Sequence, residues 1–170
     1  MILSAMSKKI LLSLSLIFVN SYFLAAQTTA SAQTTKAWMW NSYKITFQAP
    51  SDLTIRENSS TVFHAGNGNV FINIYPKKGG NLTYDKMPES LQKWAKDSKV
   101  SFTPANSSYL SNLNRFWAYY INGTGYRGMP AYLVLLVDSS HPENSYYVYA
   151  QYKTGFAATA LNVLKSFSLQ

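Results

Sequence analysis

The chain contains no cysteine among its 170 residues. Disulfides are therefore excluded, although small exported domains commonly rely on them. Thiolate zinc sites are excluded with them, and so is the lipid-modified cysteine that anchors bacterial lipoproteins. Acidic residues are scarce: seven Asp and Glu stand against fifteen Lys and Arg, a formal charge of +8. Histidine occurs only at His64 and His141. No apolar run reaches the ~20 residues that a membrane-spanning helix needs.

The longest apolar run lies at the front. Lys8 and Lys9 precede Ile10 to Leu24, which Ser13, Ser15, Asn20 and Ser21 interrupt. Ala30-Ser31-Ala32 then offers a small-x-small site before Gln33. This order is that of a secretory signal peptide, cut between Ala32 and Gln33, with a cut after Ala26 as the alternative. The expected division is residues 1–32 as signal peptide, 33–42 as a loose N-terminal arm and 43–170 as one domain. An extracytoplasmic location follows, periplasmic or secreted, with no transmembrane segment after cleavage. The remaining chain is still basic, which favours solubility and weak attraction to anionic surfaces. Nucleic acid is not an expected partner. The lysines are scattered, and the tight pair Lys77-Lys78 stands beside Gly79-Gly80 in a turn. Nucleic-acid binding needs a clustered basic stripe.

Hydrophobic period places the elements. Ile45 and Phe47 alternate with polar neighbours as a strand does, and Pro50-Ser51-Asp52 turns the chain. Leu53–Arg56 and Thr61–His64 read as short strands. Gly66-Asn67-Gly68-Asn69 supplies the positive φ of a hairpin before the strand Val70, Ile72, Ile74. Met87, Leu91, Trp94 and Ala95 then recur at helical spacing, with Pro88 and Glu89 suited to the first turn. A helix is expected over 87–99. Strands follow at 115–123, 131–138 and 145–152. Both faces of 131–138 are apolar, so this strand should be central and covered on each side. Ala157, Ala160, Leu161, Leu164 and Phe167 form the stripe of a closing helix, with Thr154 as its expected cap. The fold class is α+β: a mainly antiparallel sheet covered by two helices, one on each face.

This order resembles the PsbP-like fold, the group of PsbP, Mog and DcrB type proteins. The likeness is carried by ITFQAPSDLTI (45–55), VFINIYP (70–76), LQKWAK (91–96), GYRGMPAYLVLLV (125–137), YYVYAQY (146–152) and ALNVLKSFSL (160–169). The resemblance implies an antiparallel sheet between helices in an exported or membrane-peripheral accessory protein, and implies no enzyme activity. It carries no functional residues over to this chain.

Candidate chemistry is sparse. Gly123-Thr124-Gly125-Tyr126-Arg127-Gly128 matches a dinucleotide loop, but Pro130 and a β-rich run follow where that mechanism needs a helix N-terminus. A hairpin is expected there, and no cofactor. His64 and His141 are not spaced as metal ligands, and no Gly-x-Ser-x-Gly elbow is present. Asp52, Glu57, Asp85, Glu89, Asp97, Asp138 and Glu143 read as turn or helix-surface positions.

Tyrosine is the unusual abundance, at thirteen residues. Trp117 and Tyr119 share one face of their strand; Tyr147 and Tyr149 share one face of theirs. Two readings stand. Adjoining exposed faces make an amphipathic platform for a protein, peptide or glycan, with Arg115 and Arg127 as rim charges. Alternatively, the rings are cross-strand packing beneath a helix. The expected function is an exported, non-catalytic binding or accessory domain of the cell envelope. The alternative is a small extracytoplasmic hydrolase acting on envelope polymer or glycan, with His64 or a carboxylate in a deep cleft.

Overall fold

The computed structural model describes residues 33–77, 79–111 and 113–170. The expected leader, residues 1–32, lies outside the described residues. In chain order the elements are β1 (Thr35–Trp40), β2 (Ile45–Pro50), β3 (Thr54–Asn58), β4 (Phe63–Gly66), β5 (Val70–Lys77), α1 (Met87–Asp97), β6 (Ser101–Leu110), β7 (Phe116–Thr124), β8 (Pro130–Asp138), β9 (Ser145–Tyr152), α2 (Ala157–Leu164) and β10 (Ser168–Leu169). Among the described residues no helix is long and apolar enough to cross a membrane.

Seven strands form one antiparallel sheet in the order β3-β4-β5-β9-β8-β7-β6. Two hairpin-linked runs, β3 to β5 and β6 to β9, meet through the β5–β9 pair. Between them α1 carries the chain over the sheet to its far edge at β6. The alternation of β8 then explains the layers. Leu133, Leu135 and Val137 face α1, where they pack with Met87, Leu91 and Ala95. Tyr132, Val134 and Leu136 face the other way and pack with Ala160, Val163 and Leu164 of α2. Each fully buried aliphatic side chain contributes about 1.5–3 kcal/mol, so this doubly covered strand anchors both layers.

Three observations depart from the sequence expectations. First, Thr35–Trp40 is no loose arm. It pairs along β2, and with β10 the three strands make a second small sheet on the α2 side. Trp38 and Trp40 are buried there, so the apolar rings outweigh the weak local period. Second, Ser101–Leu110 forms the edge strand β6, for which the sequence offers no alternation. Third, Thr154 does not cap α2. Gly155, at φ 94°, turns the chain first, and Phe156 occupies the N-cap with no side-chain bond. The buried stripe consequently runs through Ala160, Val163 and Leu164, while Ala157 is exposed.

The end of α1 is built without glycine. Val100 N–H donates to Ala95 O (2.9 Å) and Lys99 N–H to Lys96 O (3.0 Å). This is a Schellman ending with Lys99 in the left-handed position, φ 56°.

Candidate functional site

Strand pairing lines up residues across the sheet. One row runs Tyr75, Tyr147, Leu135, Tyr119, Tyr109, contributed in turn by β5, β9, β8, β7 and β6. Its neighbour runs Glu57, His64, Asn73, Tyr149, Leu133, Ile121. Directly paired residues share a face, and this is the face that α1 covers. The rows turn aliphatic at Leu135 and at Leu133 and Ile121, and the aliphatic stripe of α1 seats there. The helix therefore divides the aromatic residues into two banks.

The bank on β6 and β7 is closed upon itself. Tyr84 stacks on Tyr109 at 4.1 Å and meets Trp117 edge-on at 5.8 Å. Tyr119 Oη donates to Ser107 Oγ (2.7 Å), and Tyr109 Oη to Tyr84 O (2.8 Å). Tyr119 is buried. Trp117 and Tyr109 thus hold the segment before α1 against the sheet, and Tyr119 ties β7 to β6.

The bank on β5 and β9 is open. Trp94, at the edge of the α1 stripe, stacks on Tyr147 at 4.4 Å and meets Tyr149 edge-on at 6.5 Å. Tyr147 Oη and Ser90 Oγ share a hydrogen bond of 3.0 Å, so Tyr147 is committed to seating the helix. Beyond it lies a cleft of about 390 Å³, lined by Asn73, Tyr75, Trp94, Ser98, Tyr126 and Tyr149. Tyr126 is 67% exposed and Tyr75 39% exposed. Burial, then Tyr149 and Glu57 nearby, pushes the Tyr75 hydroxyl up from its ordinary value, so it is a neutral donor at physiological pH.

The outer wall is fixed in place. Tyr126 N–H donates to Tyr149 Oη (3.2 Å), and Gln151 Nε2 donates to Tyr126 O (2.8 Å). Gly125 permits this, because a Cβ there would collide with the Tyr149 hydroxyl. Arg127, at φ 57°, stands with its guanidinium 5.1 Å from the centre of the Tyr126 ring. The glycine-containing loop is a strand-turn-strand connection between β7 and β8, without the helix that a dinucleotide phosphate would need.

Of the six residues that the sequence points to, the structure brings Tyr149 to this cleft, with Tyr147 beside it and Arg127 next to the Tyr126 ring. Trp117 and Tyr119 belong to the closed bank. Arg115 lies apart: its guanidinium pairs at 3.4 Å with Asp138, a 2% exposed carboxylate that also meets His141 Nδ1 at 3.5 Å. Asp138 alternates away from Val137, onto the face opposite α1. Asn73, Tyr75, Trp94, Ser98 and Tyr126 complete the cleft and are not among those six. Asn73 and Tyr75 share a face with Tyr149 across a strand pair, which is visible only once the β5–β9 register is known. His64 and Glu57 face each other at the cleft's outer margin, on β4 and β3. A second cleft, of about 480 Å³, lies between β6 and α2 and is lined by Ser108, Tyr109, Leu110, Ser111, Tyr120, Leu161 and Lys165. Neither cleft has His, Asp or Glu in its lining. Among the described residues no three His, Asp or Glu gather as metal ligands would.

No family model matches the chain, and no curated protein matches it. Among solved structures it is similar to one from Bacteroides thetaiotaomicron, at TM-score 0.47 and 13% identity over 80% of this chain. The match spans about half of that protein, 48% of its length. It is also similar to the solution structure of cyanobacterial PsbP (CyanoP) from Synechocystis sp. PCC 6803, at TM-score 0.54 and 7% identity, covering 86% of this chain and 99% of that one. At such identity the likeness speaks for architecture, and the architecture of this chain is the PsbP-like fold.

Proposed function

We propose that the protein is a non-catalytic binding or accessory domain that works outside the cytoplasm, in the cell envelope or the secreted space. The observation that carries this reading is the open aromatic bank. Tyr126, 67% exposed, and the half-buried Trp94 and Tyr149 stand around a braced cleft, whereas Tyr119 of the β6–β7 bank is buried. Tyrosine and tryptophan in such a setting offer large contact area with a polar handle and little entropy left to lose. The leader grammar of residues 1–32 supports the extracytoplasmic part, and the basic charge suits an anionic envelope surface.

Two measurements test the reading. The native polypeptide, purified from envelope and culture-medium fractions of its host, is expected to begin at Gln33; a native chain beginning at Met1 would overturn the exported part. Pull-downs with Tyr126→Ala from the same fractions should recover the partner at least ~10-fold less well than the parent. Equal recovery would overturn the assignment of the binding surface.

A further inference from the structure

We infer that the open aromatic cleft is a glycan-binding site, which takes a neutral hexopyranose chain running outward from Trp94 and Tyr126 toward His64 and Glu57. This inference rests on the binding-domain reading above and names its ligand class. The cleft and the row beside it combine two kinds of surface. The rings of Trp94, Tyr126 and Tyr149 offer faces and edges at several angles. Next to them Asn73, His64 and Glu57 stand side by side on consecutive strands. They supply an amide, an imidazole and a carboxylate, donors and acceptors in mixed order. From Tyr149 to Glu57 the row crosses three interstrand steps, roughly 14 Å, which is room for more than one sugar ring.

Other ligand classes fit this surface less well. An acyl chain would cover the Asn73 amide and the tyrosine hydroxyls without giving them partners, at a cost in free energy. A quaternary cation would compete with Arg127, whose guanidinium already stands by the Tyr126 ring. A phosphate or nucleic-acid strand would meet the carboxylate of Glu57. A pyranose ring satisfies both surfaces at once. Its apolar C–H face lies against an aromatic ring, and its equatorial hydroxyls reach the polar row. The backbone bonds that hold Tyr126 to Tyr149 and Gln151 set the site before a ligand arrives, which reduces the ordering cost of binding.

The test is calorimetric titration of the protein purified from its host with cellohexaose, chitohexaose, laminarihexaose and maltohexaose. At least one is expected to bind with a Kd of about 1 mM or tighter. Tyr126→Ala and Asn73→Ala should each weaken it about tenfold or more, since both side chains face the cleft and neither fills the core. Absence of binding by all four at ~10 mM, or affinity unchanged in both variants, would overturn the inference. Decaproline serves as the peptide control. If it binds in a Tyr126-dependent way and no hexaose does, the glycan assignment falls while the binding-domain reading stands. A native chain that retains residues 1–32 would sink the exported reading and leave the hexaose result untouched.

Discussion

Four basic residues, Lys44, Lys99, Arg115 and Arg127, hold left-handed backbone with φ between 56 and 62°. For a side chain with a Cβ that conformation costs about 1–2 kcal/mol. Lys99 shows the cost most cleanly, because both Schellman hydrogen bonds and the buried Ala95–Val100 pair are already in place. Lys99→Gly is expected to raise stability by about 1 kcal/mol, read as a higher denaturant midpoint at unchanged slope. A lower midpoint would show that the lysine side chain contributes more than its backbone costs. Tyr146 makes the second residue-scale case. Burial, with Tyr43 and Asp138 beside it, pushes its hydroxyl up from 10.0 to about 12. The folded chain therefore keeps a proton that the unfolded chain has released. Its contribution is complete below pH 10 and is lost as the pH rises from 10 to about 12. Tyr146→Phe is expected to flatten that decline in a pH series of melts, with Tyr152, Tyr75 and Tyr109, also raised by burial, left to supply the remainder. An unchanged decline would assign it elsewhere.

At the scale of elements, α1 decides which aromatic residues are packing and which are surface. Tyr147 lies beneath Trp94 and bonds Ser90, so Tyr147→Ala is expected to cost roughly 2–4 kcal/mol. Tyr126→Ala should stay within about 0.5 kcal/mol, because the backbone of Tyr126, not its ring, makes the structural bonds. Equal melting temperatures for the two variants would contradict this division. The same helix marks the limit of what the sequence discloses. β8 is legible as a central strand because both of its faces are apolar, and α1 because Met87, Leu91 and Ala95 keep its period. β6 is not legible. Its Ser-, Asn- and Pro-containing run lies on an edge, is mostly exposed and slips register against β7 between Phe102 and Ser107. The pairs Trp117/Tyr119 and Tyr147/Tyr149 are each visible in sequence as sharing a face. That aliphatic β8 separates them, and that the helix fills the gap, depends on strand order. Trp94 reads from its spacing as a core residue and turns out to be the inner wall of the cleft.

For the whole molecule, the layered PsbP-like architecture follows from the order of elements, whereas the second sheet does not. β10 reaches β2 across most of the chain through the pairs Ser168–Thr46 and Leu169–Ile45, and no local pattern announces so distant a pairing. The consequence for function is an asymmetric molecule. On one side, α2 and the small sheet cover the larger core and leave a cleft without His, Asp or Glu in its lining between α2 and β6. On the other, α1 leaves a braced, half-exposed aromatic cleft. The central claim is that this cleft is the working face. The most direct test places a benzophenone amino acid at position 126 in the living host, with a comparison at Asn162, exposed on α2 of the opposite face. Light-dependent adducts are expected at position 126 and not at position 162. Adducts at 162 alone, at both positions equally or at neither would contradict the claim.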